Sequence, residues 1–257
     1  VEGERSLFDL SGKRAIVLGG AGLIGAAAAA ALLDAGAHVV VADRARSSLP
    51  GALGKEVDLV EVDATDLDRL PEMVAKLEDH ILGADIWVSA HYPRTTDWGV
   101  PDEEVSTQSW HQNVSMQLTG SCIVASEICR SMAKRNGGCV VNLASMYGIV
   151  GPDFSLYDGL DITTPAPYPA IKGGIIAHTR YLATLWGQHG VRVNAVAAGG
   201  VARDQPDEFV QAYAQRTPLG RLAKAKEIGG PIAFLASPAA AYITGTTLVV
   251  DGGWTAK

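Results

Sequence analysis

The chain has 257 residues, a formal charge of −7, 47% hydrophobic and 19% charged residues. That composition belongs to a packed globular protein with enough length for a large core. Acidity without any basic run excludes a general nucleic-acid binder, because phosphate neutralisation needs clustered Lys and Arg. The most apolar stretch, residues 21–33, is alanine-rich and closed by Asp34, short of the ~20 helical residues that span a bilayer. It reads as a buried helix, so no membrane partner is expected. Residues 1–10 carry mixed charge and no apolar run, which shows no secretory signal and makes the cytoplasm the expected location.

Taken in chain order, the first expected strand is Arg14 to Gly19 (RAIVLG), followed by Gly19, Gly22, Leu23, Ile24 and Gly25 at the entrance to a helix over Leu23 to Ala35. Glycines at a strand-to-helix turn permit close backbone approach, and the helix N-terminus offers free N–H groups to a pyrophosphate. The second strand, His38 to Asp43, ends in an acidic side chain. Asp43 is placed to accept from ribose hydroxyls and to repel a 2′-phosphate, which favours NAD over NADP; Arg44 beside it pulls the other way. A third strand, Val57 to Asp63, brings Asp63 either towards the adenine or into a helix-capping turn. A helix over Leu67 to Ile81 and a strand over Asp85 to Ala90 follow.

The long helix expected from about Ser106 to Lys134 contains Asn113, an amide in a position where it is a poor helix former. Strand Gly138 to Ala144 ends at Ser145, where a doubly wound sheet places its ligand crevice. Residues 148–167 are rich in Gly, Pro, Asp and Thr and form the longest stretch without periodicity, a candidate substrate loop. A helix over about Pro169 to Gly187 comes next. Tyr168 and Lys172 stand four apart, one helical turn from each other, where an ammonium lowers the phenol's ordinary pKa of ~10 and lets it exchange a proton with an alkoxide. Because proline restrains its predecessor, Pro169 is expected to hold Tyr168 at the helix cap. Strand Val191 to Ala198, short helices over Pro206 to Gln215 and Ala225 to Ala236, and strand Thr246 to Asp251 complete the series. Alternation of continuous apolar strands with helices implies a doubly wound parallel sheet of about seven strands, covered on both faces, in a single domain over 1–257 with residues 1–8 flexible. Cys122, Cys129 and Cys139 form no ligand-spaced cluster and read as reduced structural thiols, with no metal expected.

The ordered set Gly19/Gly22/Gly25, Asp43, Asp63, Asn113, Ser145, Tyr168, Lys172, Asn194 with Gly199, and Thr244-Gly245 through Trp254 resembles the short-chain dehydrogenase/reductase family over nearly the whole chain. The resemblance implies a Rossmann-type fold and a hydride exchanged between NAD(P) and a carbonyl or secondary alcohol. It further implies that Ser145 and Tyr168 bind the substrate oxygen, with Tyr168 the acid/base. Lys172 would also hold the nicotinamide ribose and Asn113 would organise a water relay. Ala64, Ala90, Gly199 and Val201 join the cofactor residues by the same carry-over, and a homo-oligomer, tetramer or dimer, is expected. The chain departs from the family pattern at Leu18, at Ser89-Ala90-His91-Tyr92 in place of Asn-Asn-Ala-Gly, at Ala198, and in a longer interval from Ser145 to Tyr168. Tyr157 is no substitute for Tyr168, since Asp161 stands where the lysine would be. The longer interval, with Tyr92-Pro93-Arg94, is similar to a subgroup tied to surface-sugar and flagellin modification, which points to a sugar-like substrate and to Tyr147, Tyr157, His91, Arg94 and Arg203 as pocket residues. A non-catalytic or regulatory NAD-binding protein is the alternative. An extended sugar epimerase would need roughly 100 further residues for a separate substrate domain.

Overall fold

The computed structural model describes residues 6–44, 53 and 57–257. Seven strands form one sheet: β1 (Arg14–Leu18), β2 (His38–Asp43), β3 (Asp58–Glu61), β4 (Ile86–Ser89), β5 (Gly138–Ser145), β6 (Val191–Ala198) and β7 (Thr247–Val250). Their order is β3-β2-β1-β4-β5-β6-β7, every pair parallel. The order reverses between β1 and β4, and a crevice opens at the carboxyl ends of strands at such a switch point.

The period of two along each strand divides the core. Ala15, Val17, Val39 and Val41 face helices α1 (Leu23–Asp34) and α7 (Lys226–Ala236), whose Ala28, Leu32, Ile228 and Ile232 are buried against them. Ile16, Leu18, Val40 and Trp87 face the opposite layer, α2 (Leu70–His80) and α4 (Gly120–Lys134), through Leu70, Leu77 and Ile128. Both faces are therefore dry, which is why the strands read as unbroken apolar runs. The alanine run of α1 serves packing. A Cβ on Gly229 of α7 would lie 2.3 Å from the Ala27 carbonyl oxygen, so the two helices meet almost backbone to backbone. Among the described residues no helix is long and apolar enough to cross a membrane.

Two expectations are corrected. The helix expected from Ser106 is α3 (Thr107–Asn113), a π-helical turn over Val114–Thr119, and then α4, with Ser106 capping through its hydroxyl to Ser109 N–H. Helix α5 runs Pro167–Trp186, so Tyr168 lies inside the first turn and not at the cap. Pro167 and Pro169 are both tolerated because first-turn N–H groups have no helical acceptor to lose. The candidate substrate loop, residues 148–167, is docked on the body of the fold: a 3₁₀ turn over Phe154–Tyr157 buries Leu156, and Arg216 of α6 (Asp207–Arg216) pairs with Asp153 at 2.5 Å and donates to Ser155 at 2.6 Å. Residues 1–5 lie outside the described residues; Leu7 accepts from Ala239 N–H and Phe8 packs on Phe234.

Candidate functional site

The crevice at the switch point is a cleft of about 840 Å³. Its floor is the turn after β1. Gly19 has φ +81°, and a Cβ there would lie 2.4 Å from the His91 nitrogen; a Cβ on Gly25 would lie 2.1 Å from the Gly19 carbonyl oxygen. Only glycine fits either position. The N-terminus of α1 has no side-chain cap and no acidic residue in its first turn, so the N–H groups of Leu23, Ile24 and Gly25 face the cleft with the helix dipole behind them. This set suits an anionic diphosphate, and the lining of the cleft continues from Arg44 to Tyr168 and Gly199.

At the far end of β2, Asp43 accepts from Ala21 N–H at 2.9 Å and from Arg44 N–H at 2.7 Å. Its carboxylate thus braces the glycine turn while lining the cleft. Gly22, Ala64 and Ala90 line it too, whereas Asp63 and Val201 do not. Asp63 is committed to a turn, accepting from both the N–H and hydroxyl of Thr65, which also hold its carboxyl below the ordinary carboxylate range. Val201 bridges to Ala223. Asn194 ties β6 to the approach to β7, donating to the Ile243 carbonyl and accepting from Thr246 N–H.

The opposite end of the cleft carries the titratable side chains. Tyr168 projects from the first turn of α5, and Ser145 closes β5 with only 5% of its surface exposed. Burial pushes the Tyr168 phenol above its ordinary pKa, and the neighbouring Ser145 hydroxyl pulls it back down. The expectation that the lysine makes this phenol acidic is corrected here. Lys172 Nζ sits 5.7 Å from the Tyr168 ring centroid, and its own burial brings the amine down to about 8. Desolvation dominates at this phenol, so the resting group is protonated. Lys172 donates to the Leu143 carbonyl at 2.9 Å, which fixes its head against β5.

An aromatic wall stands over this end. Tyr92 meets Tyr168 edge-on with centroids 5.9 Å apart, Trp98 meets both, and Trp98 Nε1 donates to the Tyr92 hydroxyl at 2.9 Å. Arg94 lies 5.5 Å from the Tyr92 ring centroid and lines the cleft with Arg203. Trp98 escaped the sequence reading because nothing in residues 93–106 predicts a wall; the chain must fold back from β4 to make it. Tyr147 and Tyr157 are placed otherwise. Tyr147 is buried against Met146, Leu156 and Phe209, and Tyr157 bonds Thr164 at 2.7 Å while packing on Phe209.

Asn113 is fully buried, but its amide is spent nearby: it donates to Thr95 Oγ1 at 2.7 Å and to the Ser109 carbonyl at 2.9 Å, and accepts from Gln117 Nε2 at 3.3 Å. Gln117, one turn further along the π-helical segment, was not singled out from sequence. A buried amide at i+4 from Asn113 is the signal that marks it. The thiols are structural in their setting: burial raises Cys122 to about 11 and Cys129 to about 12, and no metal-ligand cluster occurs among the described residues.

Known proteins resemble this chain over nearly its whole length. The family model described as enoyl-(acyl carrier protein) reductase matches residues 20–255. Gluconate 5-dehydrogenase of Gluconobacter oxydans is 32% identical over 97% of each chain, and post-translational flagellin modification protein A of Campylobacter coli is 27% identical over 95% of this chain and 99% of that one. A short chain dehydrogenase from Leptospira borgpetersenii with bound NAD+ superposes with a TM-score of 0.87 at 27% identity, covering 98% and 96% of the two chains. A gluconate 5-dehydrogenase from Burkholderia cenocepacia in complex with NADP and tartrate gives 0.84 at 27% identity, covering 97% and 98%.

Proposed function

The chain belongs to the short-chain dehydrogenase/reductase family, and from that premise we propose that Tyr168 exchanges the proton, with Ser145 orienting the substrate oxygen, on a polyhydroxylated alcohol or its ketone. The family chemistry is oxidoreduction at a CH–OH carbon, and the nicotinamide cofactor supplies or accepts the hydride when bound. The observation that carries the reading is the placement of the Tyr168 phenol: buried, protonated, close enough to Ser145 to feel its hydroxyl and one turn from Lys172, at the end of a cleft that starts on a glycine turn. In the reducing direction a neutral phenol gives its proton to the developing alkoxide. In the oxidising direction Lys172, fixed by the Leu143 carbonyl, stabilises the phenolate that must take the proton.

The Tyr92/Trp98 wall and Arg94 support the substrate class. Aromatic faces pack on the C–H surface of a polyol, and a guanidinium beside them recognises a carboxylate. A sugar acid, of the kind named for the gluconate dehydrogenase relatives, combines both features. For the cofactor, Asp43 beside the glycine turn supports NAD, because a 2′-phosphate at the end of β2 would meet a carboxylate already fixed by two backbone N–H groups. The chain then works as one cofactor-and-substrate unit, assembled as a homo-oligomer. The test is a panel of sugar acids, alditols and simple secondary alcohols assayed with NAD and NADP by absorbance of the reduced cofactor. The expected result is turnover of polyhydroxylated substrates with at least a tenfold preference for NAD in kcat/KM. Turnover confined to simple alcohols overturns the substrate class, and preference for NADP overturns the role given to Asp43.

A further inference from the structure

Lys172 is charged in surroundings that give it little compensation. Only 7% of its surface is exposed, one N–H is given to the Leu143 carbonyl at 2.9 Å, and no ion pair among the described residues includes it. Burial accordingly brings the amine down to about 8. The groups around it are few and mostly neutral. His91, after β4, is uncharged, held at about 4 by its own burial and by Lys172. On the side away from the cleft, a cavity of about 10 Å³ is bordered by Ser89, Gln117, Ser121 and Asn142, none of which carries charge. On the cleft side stand two phenol rings, Tyr168 from the same helix and Tyr92 from the segment after β4, with Arg94 beside Tyr92.

The Tyr92 ring makes the closer approach. Lys172 Nζ lies over it at 5.5 Å from the centroid, against 5.7 Å for Tyr168. An ammonium at that distance is drawn to the negative face of the ring quadrupole, and more strongly where water is excluded. Trp98 fixes the ring: its Nε1 donates to the Tyr92 hydroxyl at 2.9 Å, and the two rings meet edge-on at 84°. Burial, with Tyr168 nearby, pushes the Tyr92 phenol upward, so the ring stays neutral wherever the lysine titrates. Arg94 Cζ is also 5.5 Å from the same centroid. One ring therefore attracts both cations at this end of the cleft and offsets part of their mutual repulsion. The residue is a departure of this chain, because the Asn-Asn-Ala-Gly pattern ends in a glycine where Tyr92 stands, and a glycine offers no ring.

We propose that Tyr92 is a positioning residue whose ring face holds the Lys172 ammonium by a cation–π contact, with Trp98 holding the ring. This rests on the role given to Lys172 above. The consequence is charge at working pH. An amine with its midpoint at about 8 is mostly charged at neutrality, whereas about one unit lower it is half uncharged, and the Tyr168 phenolate formed in the oxidising direction loses that share of its counter-charge. A carboxylate could hold the ammonium as well, but its negative charge would push the Tyr168 phenol up further. A ring face supplies the attraction without that charge.

The test changes the electrons of the ring and keeps its shape. ¹³Cε-lysine NMR reads the Lys172 midpoint, the signal being assigned by its loss in Lys172→Arg. The series is wild type, Tyr92→Phe, and proteins carrying progressively fluorinated phenylalanines at position 92, in which fluorine removes the negative face. Tyr92→Phe should stay within about 0.3 pH unit of wild type, since both ring faces attract cations, and the midpoint should then fall stepwise to about one unit lower with the fully fluorinated ring, a tenfold loss of ammonium stability. A midpoint unchanged across the fluorinated series overturns the proposal. So does a fall as large in Tyr92→Phe as in the fully fluorinated protein, because the hydroxyl and not the ring face then holds the amine. Graded midpoints in a protein that turns over no alcohol keep the ring-to-ammonium contact and remove the catalytic reading; turnover with flat midpoints does the reverse.

Discussion

The two cavities that share Lys172 are built on opposite principles. The cofactor cleft is made by backbone: glycines where a Cβ would collide at 2.1 to 2.4 Å, and a helix N-terminus left uncapped. The second, a small cavity of about 10 Å³ behind Ser89, His91, Gln117, Ser121, Asn142 and Lys172, is made by side chains from β4 and the segment after it, β5, the π-helical turn, α4 and α5. Backbone sites announce themselves in sequence because they demand particular residue types at fixed spacing. Side-chain sites of the second kind arise only when distant elements pack together, and a single polar residue in each says little until they meet.

The comparison breaks most sharply on the backbone side. Gly25→Val places a branched side chain where even one Cβ lies 2.1 Å from the Gly19 oxygen, and backbone cannot yield as a side-chain tip can. NADH affinity by fluorescence titration should fall by more than about tenfold, roughly 1.4 kcal/mol, and a variant that binds normally removes the turn from the site. On the side-chain side the effect appears with acid. The folded His91 takes its proton only near pH 4, whereas an unfolded chain takes it near 6.5. Its neutral form therefore supports folding fully above pH 6.5, and that support is lost as pH falls towards 4. Up to about 3 kcal/mol of stability should go in that window, read as the difference between wild type and His91→Asn in denaturant midpoints at pH 7 and pH 4. Identical acid sensitivity in the two proteins would contradict a buried, neutral imidazole. The smallest effect belongs to the strap outside both cavities. Arg216→Ala removes a half-exposed pair with Asp153, which should cost at most about 1 kcal/mol and raise KM more than it lowers kcat by loosening residues 148–167.

The same contrast explains what the sequence disclosed. The seven strands were legible because both sheet faces are covered, so Ile16 and Val17 are equally buried and the runs stay apolar. The glycine turn, Asp43, Ser145, Tyr168 and Lys172 were legible because their spacing along strand ends and one helical turn is local. The π-helical turn was not, since its extra residue leaves no mark on periodicity, and it directs Asn113 and Gln117 inward together. Nor was the phenol's raised pKa legible: spacing gives the distance between Tyr168 and Lys172 but not the burial that dominates both groups. The docking of residues 148–167 depends on Arg216, about sixty residues on from the Asp153 and Ser155 that it holds.

The central claim is that the Tyr168 hydroxyl carries the proton, and replacing it with Phe removes that oxygen while keeping the ring against Tyr92 and Trp98. Measured on a substrate found in the panel, Tyr168→Phe should lower kcat by about 10² to 10⁴-fold with the NADH dissociation constant within about twofold of wild type. A kcat within about threefold of wild type would contradict the account.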